Sequence, residues 1–588
     1  MFLLKQGEVP IMLVFGDVAR WEEAQEMAAE IAHRFDDWLA ASPGMKRHQQ
    51  LAGAFIRTGE LVQAVVDSEF AESKCDETTE RRHIGEALLV RLARAVAASW
   101  DSDGREVVPV DWLDPLRTLA DAGRLETKRA EGYAFYALYP EAYLAAAREA
   151  GLGADTTVIG IRSIGAGLAA VVAAGLGVGR IHTVRPVGHP FARRVEIGPD
   201  LAANILAGRG DFAIVDEGPG LSGSSFNCVA DWLVQHGVDD SRIHFFPSHA
   251  GDLGSHASSE HWERWTRARK HVLSFEQVIL NPAKHHQRLK HWIASAVGPL
   301  EGPLVDLSGG AWRERWCGSE QIWPPADPAM EKRKFLARAG GKAWLAKFVG
   351  LGASGEEKHL LAQHLAEAGF APEPRGLCHG FLIMPWVERD ANSSAGPPLE
   401  RVADYLARRA SLPVSVPGAS TGALFEMALH NLGEALGKGA ADKIGSVLRN
   451  PERFTPIYCA TDNRMHEWEW VQADGTWLKL DGLDHHAAHD LIGCQDIAWD
   501  LAGAKVELGL AEQQGQELTA SLEQRIGRTI PPDYLRAMEL CYIAFQIGLW
   551  TMAQSRNGEV ERQRIKALLR RYEDRAARLL GSTLNHLG

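Results

Sequence analysis

Two adjacent carboxylates at the end of an apolar run are where this chain first offers chemistry. Phe212-Ala213-Ile214-Val215 reads as a short buried strand, and Asp216 and Glu217 follow it directly. Gly218, Gly220, Ser222, Gly223, Ser224 and Ser225, with Leu221 among them, make a loop of little side-chain bulk, and Phe226 to His236 has a helical pattern. Strand, bare loop and helix start together form an anion cradle, because backbone N–H groups and the helix dipole face the same point. Phosphate suits it. Two carboxylates beside phosphate would repel it unless they face another group, and the vicinal hydroxyls of a ribose fill that role. The competing reading is an ordinary strand-to-helix turn.

A second segment of the same kind precedes it. Thr157-Val158-Ile159-Gly160-Ile161 is a buried strand, followed by Arg162, Ser163, Ile164, Gly165, Ala166 and Gly167 and an apolar helix from Leu168 to Ala174. This loop lacks the three set glycines of a dinucleotide-binding turn. Between the two loops, Thr183 to Val195 is broken by proline and glycine and holds Arg185, His189, Arg193 and Arg194. It reads as a basic hairpin, and arginine there could stabilise a departing anion. Ile243 to Phe246 is a third strand, which makes His249 and Asp252 just beyond it candidates for contacts to a substrate ring. Glu131 to Pro140 crowds Tyr133, Phe135, Tyr136 and Tyr139 into a short space, as core or as a hood over a planar ring.

The run Phe212 to Ser225, with its Ser222-Gly223-Ser224-Ser225 core, resembles the ribose-phosphate loop of type I phosphoribosyltransferases. Glu at the second acid and one extra residue before the core depart from the family pattern. The resemblance implies phosphoribosyl diphosphate as substrate, with its 5-phosphate at Gly220 to Ser225 and its ribose hydroxyls on Asp216 and Glu217. It places diphosphate near Arg162 to Gly167, makes the interval holding Arg185 a catalytic loop, and implies Mg2+ bound through substrate oxygens. The acceptor is an unidentified, nitrogenous small molecule.

The second half carries a different set. Lys334 to Arg338 and Trp344 to Val349 read as strands around Gly340-Gly341, Glu356 to Ala368 as a helix, and Phe381 to Glu388 as a strand. Asp462 follows Thr461, Trp477 to Asp481 is a strand ending in an acid, and Asp496 and Asp500 come next. This order resembles the aminoglycoside phosphotransferase and protein-kinase-like superfamily. The resemblance implies ATP as cofactor, Lys347 on its phosphates with Glu356 or Glu357 holding the lysine, Asp462 as base and Asp481 on the metal. Glu467 stands where that family has a metal-binding Asn. His485, His486 and His489 beside Asp484 and Asp490 read as a polar loop.

These residues need a large scaffold, and the chain supplies one. Its 588 residues suggest three or four domains, and 46% hydrophobic with 24% charged residues is a globular composition. A net charge of −13 argues against nucleic-acid binding. The seven cysteines include no close pair. Lys5 and Glu8 interrupt the apolar start, and the Gly- and Ala-rich run Ser163 to Gly179 is too short to span a bilayer, so a soluble, cytoplasmic protein without membrane partners is expected. Whether it forms a homo-oligomer is left open.

The expected fold is multidomain. A helical accessory region covers 1–124, with a strand-like start at Ile11 to Phe15 and a solvated acidic rim at Glu69, Glu72, Asp76 and Glu77. An α/β phosphoribosyltransferase-like parallel sheet covers 125–300, closed by a Trp-rich helix from Trp262 to Trp292. A linker spans 301–330, and an α+β kinase-like bilobal domain spans 331–588, ending in Arg- and Leu-rich helix from Gln513 to Leu580. Two rival functions remain: a phosphoribosyl-diphosphate-binding regulator without turnover, and a kinase with a scaffold transferase domain.

Overall fold

The computed structural model describes residues 12–16, 20–162, 164–220, 222–254, 256–390, 396–414 and 416–582. Ile11, Ser163 and Leu221 lie outside the described residues.

Helices Ala24–Ala40, Met45–Ser73, Glu80–Ser102 and Leu113–Ala120 build the N-terminal region. The third begins where the Thr79 side chain accepts a hydrogen bond from the N–H of Arg82, a standard N-cap. In the second, Leu51, Phe55, Leu61, Val62 and Val65 are buried at helical spacing. A strand, Arg20–Glu23, pairs antiparallel with Arg124–Thr127. Met12 to Gly16 carries no strand; it is a tether whose Leu13 N–H donates to Asn431 Oδ1 in the second half.

Five parallel strands follow, in the order Ile181–Val184, Thr157–Ile161, Phe212–Val215, Ile243–Phe246, Arg269–Lys270. Phe212 to Val215 and Ile243 to Phe246 are wholly buried, as strands covered on both faces must be, and so they are unbroken apolar runs. Their carboxyl ends put Arg162, Arg185, Asp216–Glu217 and Pro247 along one edge. The basic interval is an antiparallel hairpin, Pro186–His189 with Ala192–Val195.

The expected helix from Trp262 to Trp292 is broken. It comprises helix Ser259–Arg267, the sheet-edge strand Arg269–Lys270, two short turns and helix Leu289–Val297. Pro282 cannot continue a helix, and hydrogen bonding to Ile243–Phe246 captures the strand.

The second half opens with an antiparallel sheet in the order Val305–Asp306, Lys334–Ala339, Lys342–Phe348, Phe381–Pro385, Gly376–Cys378. Gly340 and Gly341, at φ 59° and 71°, make the two-residue turn that puts Lys334 opposite Lys347. Helix Ala353–Glu367 covers the sheet, and the segment after Pro385 leads to a lobe of helices that includes Leu399–Ala410, Thr421–Leu436, Ala498–Glu507 and Pro532–Arg556. The C-terminal stretch is three helices, Glu512–Ile526, Pro532–Arg556 and Glu559–Ser582, separated by Gly527 and Gly558 among others. One apolar core runs through Phe35, Leu92, Leu168, Val215, Ile293, Phe335 and Phe381, so the N-terminal helices, the parallel sheet and the first lobe of the second half share an interior.

Candidate functional site

A cavity of about 450 Å³ lies between the two lobes of the second half. Leu345 and Lys347 reach it from the antiparallel sheet, Met384 to Val387 from the connection between the lobes, Asp481 to His485 from the loop after strand Thr476–Lys479, and Trp550 from the helical lobe. Phe135 and Tyr136 close one side from the first half.

Lys347 Nζ contacts Asp481 and lies 2.5 Å from Asp484 Oδ2, while Lys358 Nζ lies 2.9 Å from Asp484 Oδ1. Burial works against every charge here. For Asp481 and Asp484 the lysines prevail, Lys347 foremost, and both carboxyls are held below the usual carboxylate range. Burial also opposes the Lys347 charge, but Asp481 and Asp484 raise its ammonium above the ordinary lysine value. For Lys332 the pull of Asp484 is outweighed: burial, then the charge of Lys358, pushes it down to about 7. Its Nζ donates to the Phe135 carbonyl at 3.0 Å.

The expected lysine–glutamate pair does not form. Glu356 pairs with Arg34 at 3.0 Å and Glu357 with Arg129 at 3.4 Å, both arginines lying in the first half of the chain. Helix Ala353–Glu367 buries Ser354, Lys358, Leu361 and Leu365, so Lys358 and not the glutamates turns inward.

Asp462 is wholly buried. Its carboxylate accepts from the Tyr405 hydroxyl at 2.6 Å, faces Lys479 Nζ at 2.9 Å and lies 3.3 Å from His485 Nδ1. Burial would raise this carboxyl, but Lys479 and then His485 hold it low. Lys479 and His485 both line the cavity, so Asp462 stands behind them. Asp500 accepts the backbone N–H groups of Asp462 at 2.6 Å and Asn463 at 2.8 Å, which fixes this loop with Asn463 at φ 70°. Asp496 similarly accepts from the N–H groups of Ile457 and Ala498. Glu467 pairs with Arg571 at 3.4 Å. Ligand atoms of Glu469, Asp481 and His485 lie within 4.8 Å of one another.

The second candidate site is the edge of the parallel sheet. Asp216 is 7% exposed, and its Oδ1 accepts from the N–H of Glu217 at 2.8 Å. The Glu217 carboxylate turns under helix Glu131–Phe135 and accepts from the Gly132 N–H. Burial pushes Asp216 up to about 7; burial and then the neighbouring Asp216 push Glu217 up to about 8. Gly220 and Gly223 take φ 61° and 65°, and Ser224 and Ser225 open helix Ser224–Gln235. Ser222 Oγ and Ser224 Oγ donate to the Pro190 carbonyl at 3.2 and 2.6 Å, so the hairpin tip closes onto the loop. Gly165 starts helix Gly165–Leu176 where an added Cβ would meet the Val215 carbonyl at 2.8 Å. His249 is exposed beyond strand Ile243–Phe246, and its Nδ1 accepts from the Gly251 N–H at 3.2 Å.

The two arginines expected near diphosphate turn elsewhere. Arg162 lies 2.7 Å from Asp67 and 2.6 Å from Asp76, and Arg185 pairs with Asp67 while its backbone N–H donates to Asp76 Oδ2 at 2.7 Å. Asp76 is accordingly no solvated rim residue: it is wholly buried and also pairs with Arg82 at 2.5 Å. Sequence reasoning missed Asp67, Lys332 and Lys358, and it read Asp484 as part of a polar loop. The signal available for Lys358 was the helix phase, which sets it with Leu361 and Leu365.

No family model matches the chain, and no curated protein matches it. Solved structures do. Choline kinase LicA from Streptococcus pneumoniae aligns at 13% identity and TM-score 0.30 over 42% of this chain and 89% of its own. A choline/ethanolamine kinase family protein from Mesorhizobium loti aligns at 15% identity and TM-score 0.31 over 48% and 92%. A thermostable mutant of an aminoglycoside phosphotransferase aligns at 13% and 0.31 over 50% and 99%. None of these three is a phosphoribosyltransferase. Among the described residues, no helix is long and apolar enough to cross a membrane.

Proposed function

We propose that the second half is a kinase-like phosphotransferase that uses ATP to phosphorylate a hydroxylated small molecule. The observation that carries this reading is the meeting of Lys347 with Asp481 inside an interlobe cavity large enough for a nucleotide. Met384, Pro385 and Trp386 offer an apolar slot for a planar base, and Lys332, Lys334 and Lys347 offer positive charge for its phosphates. The oxygens of Asp481 and Glu469 are hard donors close enough to share Mg2+, and they fit that ion. Bound there, Mg2+ would neutralise phosphate oxygens. The side chains of this chain do the rest. Lys347 fixes the phosphates, Asp500 rigidifies the Asp462 loop, and Asp462 orients His485, the cavity-lining group placed to accept a hydroxyl proton.

Calorimetric titration of the full chain with MgADP tests this. Binding that falls at least about tenfold in Lys347→Ala and Asp481→Asn is expected, since each removes a charged contact. Normal binding in both variants sinks the reading.

A second reading concerns the first half. Closure of the basic hairpin tip on Ser222 and Ser224, beside buried Asp216 and half-buried Glu217, favours a phosphoribosyltransferase site that takes phosphoribosyl diphosphate. Titration with phosphoribosyl diphosphate, alone and with nitrogenous acceptors, tests it. Asp216→Asn with Glu217→Gln should weaken binding by ~1–3 kcal/mol per lost hydrogen bond. Tight binding with no diphosphate release favours a regulator, and no binding leaves the first half as scaffold for the kinase-like half.

A further inference from the structure

Away from both sites, three ligand-type side chains from three distant segments meet in the interior. His48 comes from helix Met45–Ser73, Glu141 from helix Pro140–Glu149, and His379 from the turn between strands Gly376–Cys378 and Phe381–Pro385. They are 1%, 0% and 0% exposed. His48 Nε2 lies 2.8 Å and His379 Nε2 3.3 Å from the same oxygen, Glu141 Oε1, and the three ligand atoms fall within 4.8 Å of one another. We propose that His48, Glu141 and His379 bind one Zn2+ ion that ties the N-terminal helices, the first α/β unit and the antiparallel sheet of the second half together.

Three observations carry the assignment. The first is spacing: bonds of about 2.0–2.1 Å in a tetrahedron set neighbouring ligand atoms roughly 3.3 Å apart; the Glu141 to His379 separation is 3.3 Å, and the 2.8 Å from Glu141 to His48 would lengthen as the ion enters. The second is the set of polar atoms left over. Glu141 Oε2 and His379 Nε2 are buried without a hydrogen-bond partner. Leaving such atoms unmade is costly, and carboxylate coordination through both oxygens employs Oε2 and supplies a fourth donor. The third is orientation. His48 Nδ1 lies 3.1 Å from Ser99 Oγ, and an N–H donated there leaves Nε2 as a lone pair, the second hydrogen bond that metal-binding imidazoles use. His379 is held at φ 43°, a left-handed conformation unusual outside glycine, with its backbone N–H on Gln49 Oε1 and its carbonyl on the Tyr139 hydroxyl.

The surroundings select among metals. The Trp100, Trp292 and Tyr139 rings lie 6.1, 5.5 and 5.2 Å from the His379 ring. With all three ligands at most 1% exposed, the cluster has no opening to solvent, which separates it from iron sites of the two-histidine, one-carboxylate kind, whose open positions take up ligands. A closed site of nitrogen and oxygen donors fits a structural zinc, loaded as the chain folds.

Metal content of the purified full chain tests the proposal, alongside protein refolded from denaturant with equimolar Zn2+ because the site is sealed. About one zinc per chain is expected, falling to roughly none in His48→Gln and His379→Gln and unchanged in Asp481→Asn, which leaves this cluster intact. Should the histidine variants fold poorly, X-ray absorption of the zinc in the native chain decides between two imidazoles with carboxylate oxygen and any other ligand set. No stoichiometric zinc in either preparation, zinc retained by both histidine variants, or a ligand set without two imidazoles overturns it.

Discussion

Replacing Asp216 with Asn should stabilise the first half above neutral pH and do nothing in acid. Burial lifts this carboxyl from 3.8 to about 7, against a smaller pull from the Glu217 N–H and the charges of Arg185 and Arg193. Between those two pH values the folded chain keeps a proton that the unfolded chain has lost. Stability from this group is therefore complete below 3.8 and lost as pH rises through about 7. Each tenfold change in proton affinity is about 1.4 kcal/mol, so the whole loss is on the order of 4 kcal/mol. Asparagine keeps the shape and the acceptor oxygen for Glu217 N–H without the charge, and it also removes the second cause of the raised Glu217 carboxyl. A chain with several lobes does not unfold in one step, so the readout is local: hydrogen exchange of strand Phe212–Val215 in native and variant chains. The variant should exchange more slowly at about pH 8 and equally at about pH 4. A difference independent of pH, or faster exchange in the variant at the higher pH, would refute the reasoning.

Other outcomes follow from the same geometry. Lys332, pushed down to about 7, is largely neutral in the free cleft above that pH, so an arriving phosphate should restore its proton. MgADP binding at about pH 8 should then take up a proton, seen as a binding enthalpy that varies with buffer, and affinity should fall as pH rises; buffer-independent heat counts against it. Glu357→Gln should change nucleotide affinity less than about twofold, because its pair with Arg129 is a surface one. An effect as large as that of Lys347→Ala would restore the lysine–glutamate pair. Gly132→Ala puts a Cβ 2.8 Å from Glu217 Cδ and 2.7 Å from Leu138 Cδ2, so both side chains must shift, and hydrogen exchange of helix Glu131–Phe135 should quicken; unchanged exchange counts against it.

What the sequence made legible was local. Thr157–Ile161, Phe212–Val215 and Ile243–Phe246 are the very runs expected, because strands buried on both faces are continuous apolar text between polar or small residues. The hairpin at 186–195 was marked by its proline and glycine, and the Lys334 to Lys347 pairing by Gly340-Gly341. What stayed hidden depends on contacts distant in sequence. Nothing near Arg162 announces that Asp67 and Asp76 will take it, since the pairs are formed only when helix Met45–Ser73 packs near the sheet edge. Helix Ala353–Glu367 was found, but its rotation was not, and rotation decides that Lys358 and not Glu356 or Glu357 faces the cleft.

The aromatic segment 131–139 shows why the halves are not beads on a linker. Tyr133 accepts the Leu351 N–H on its carbonyl at 3.0 Å, Phe135 accepts Lys332, and the Tyr139 hydroxyl donates to the His379 carbonyl at 2.8 Å. Glu131 lies 3.3 Å from His489, whose Nδ1 is 3.0 Å from the Tyr136 hydroxyl. On the other side, the Gly132 N–H reaches Glu217 and the Tyr143 hydroxyl holds the Asp216 carbonyl. A helix of five residues has no stability of its own. It exists because the second half grips one side and the Asp216–Glu217 loop the other. The wall of one candidate site is therefore also a wall of the second, whatever each site binds.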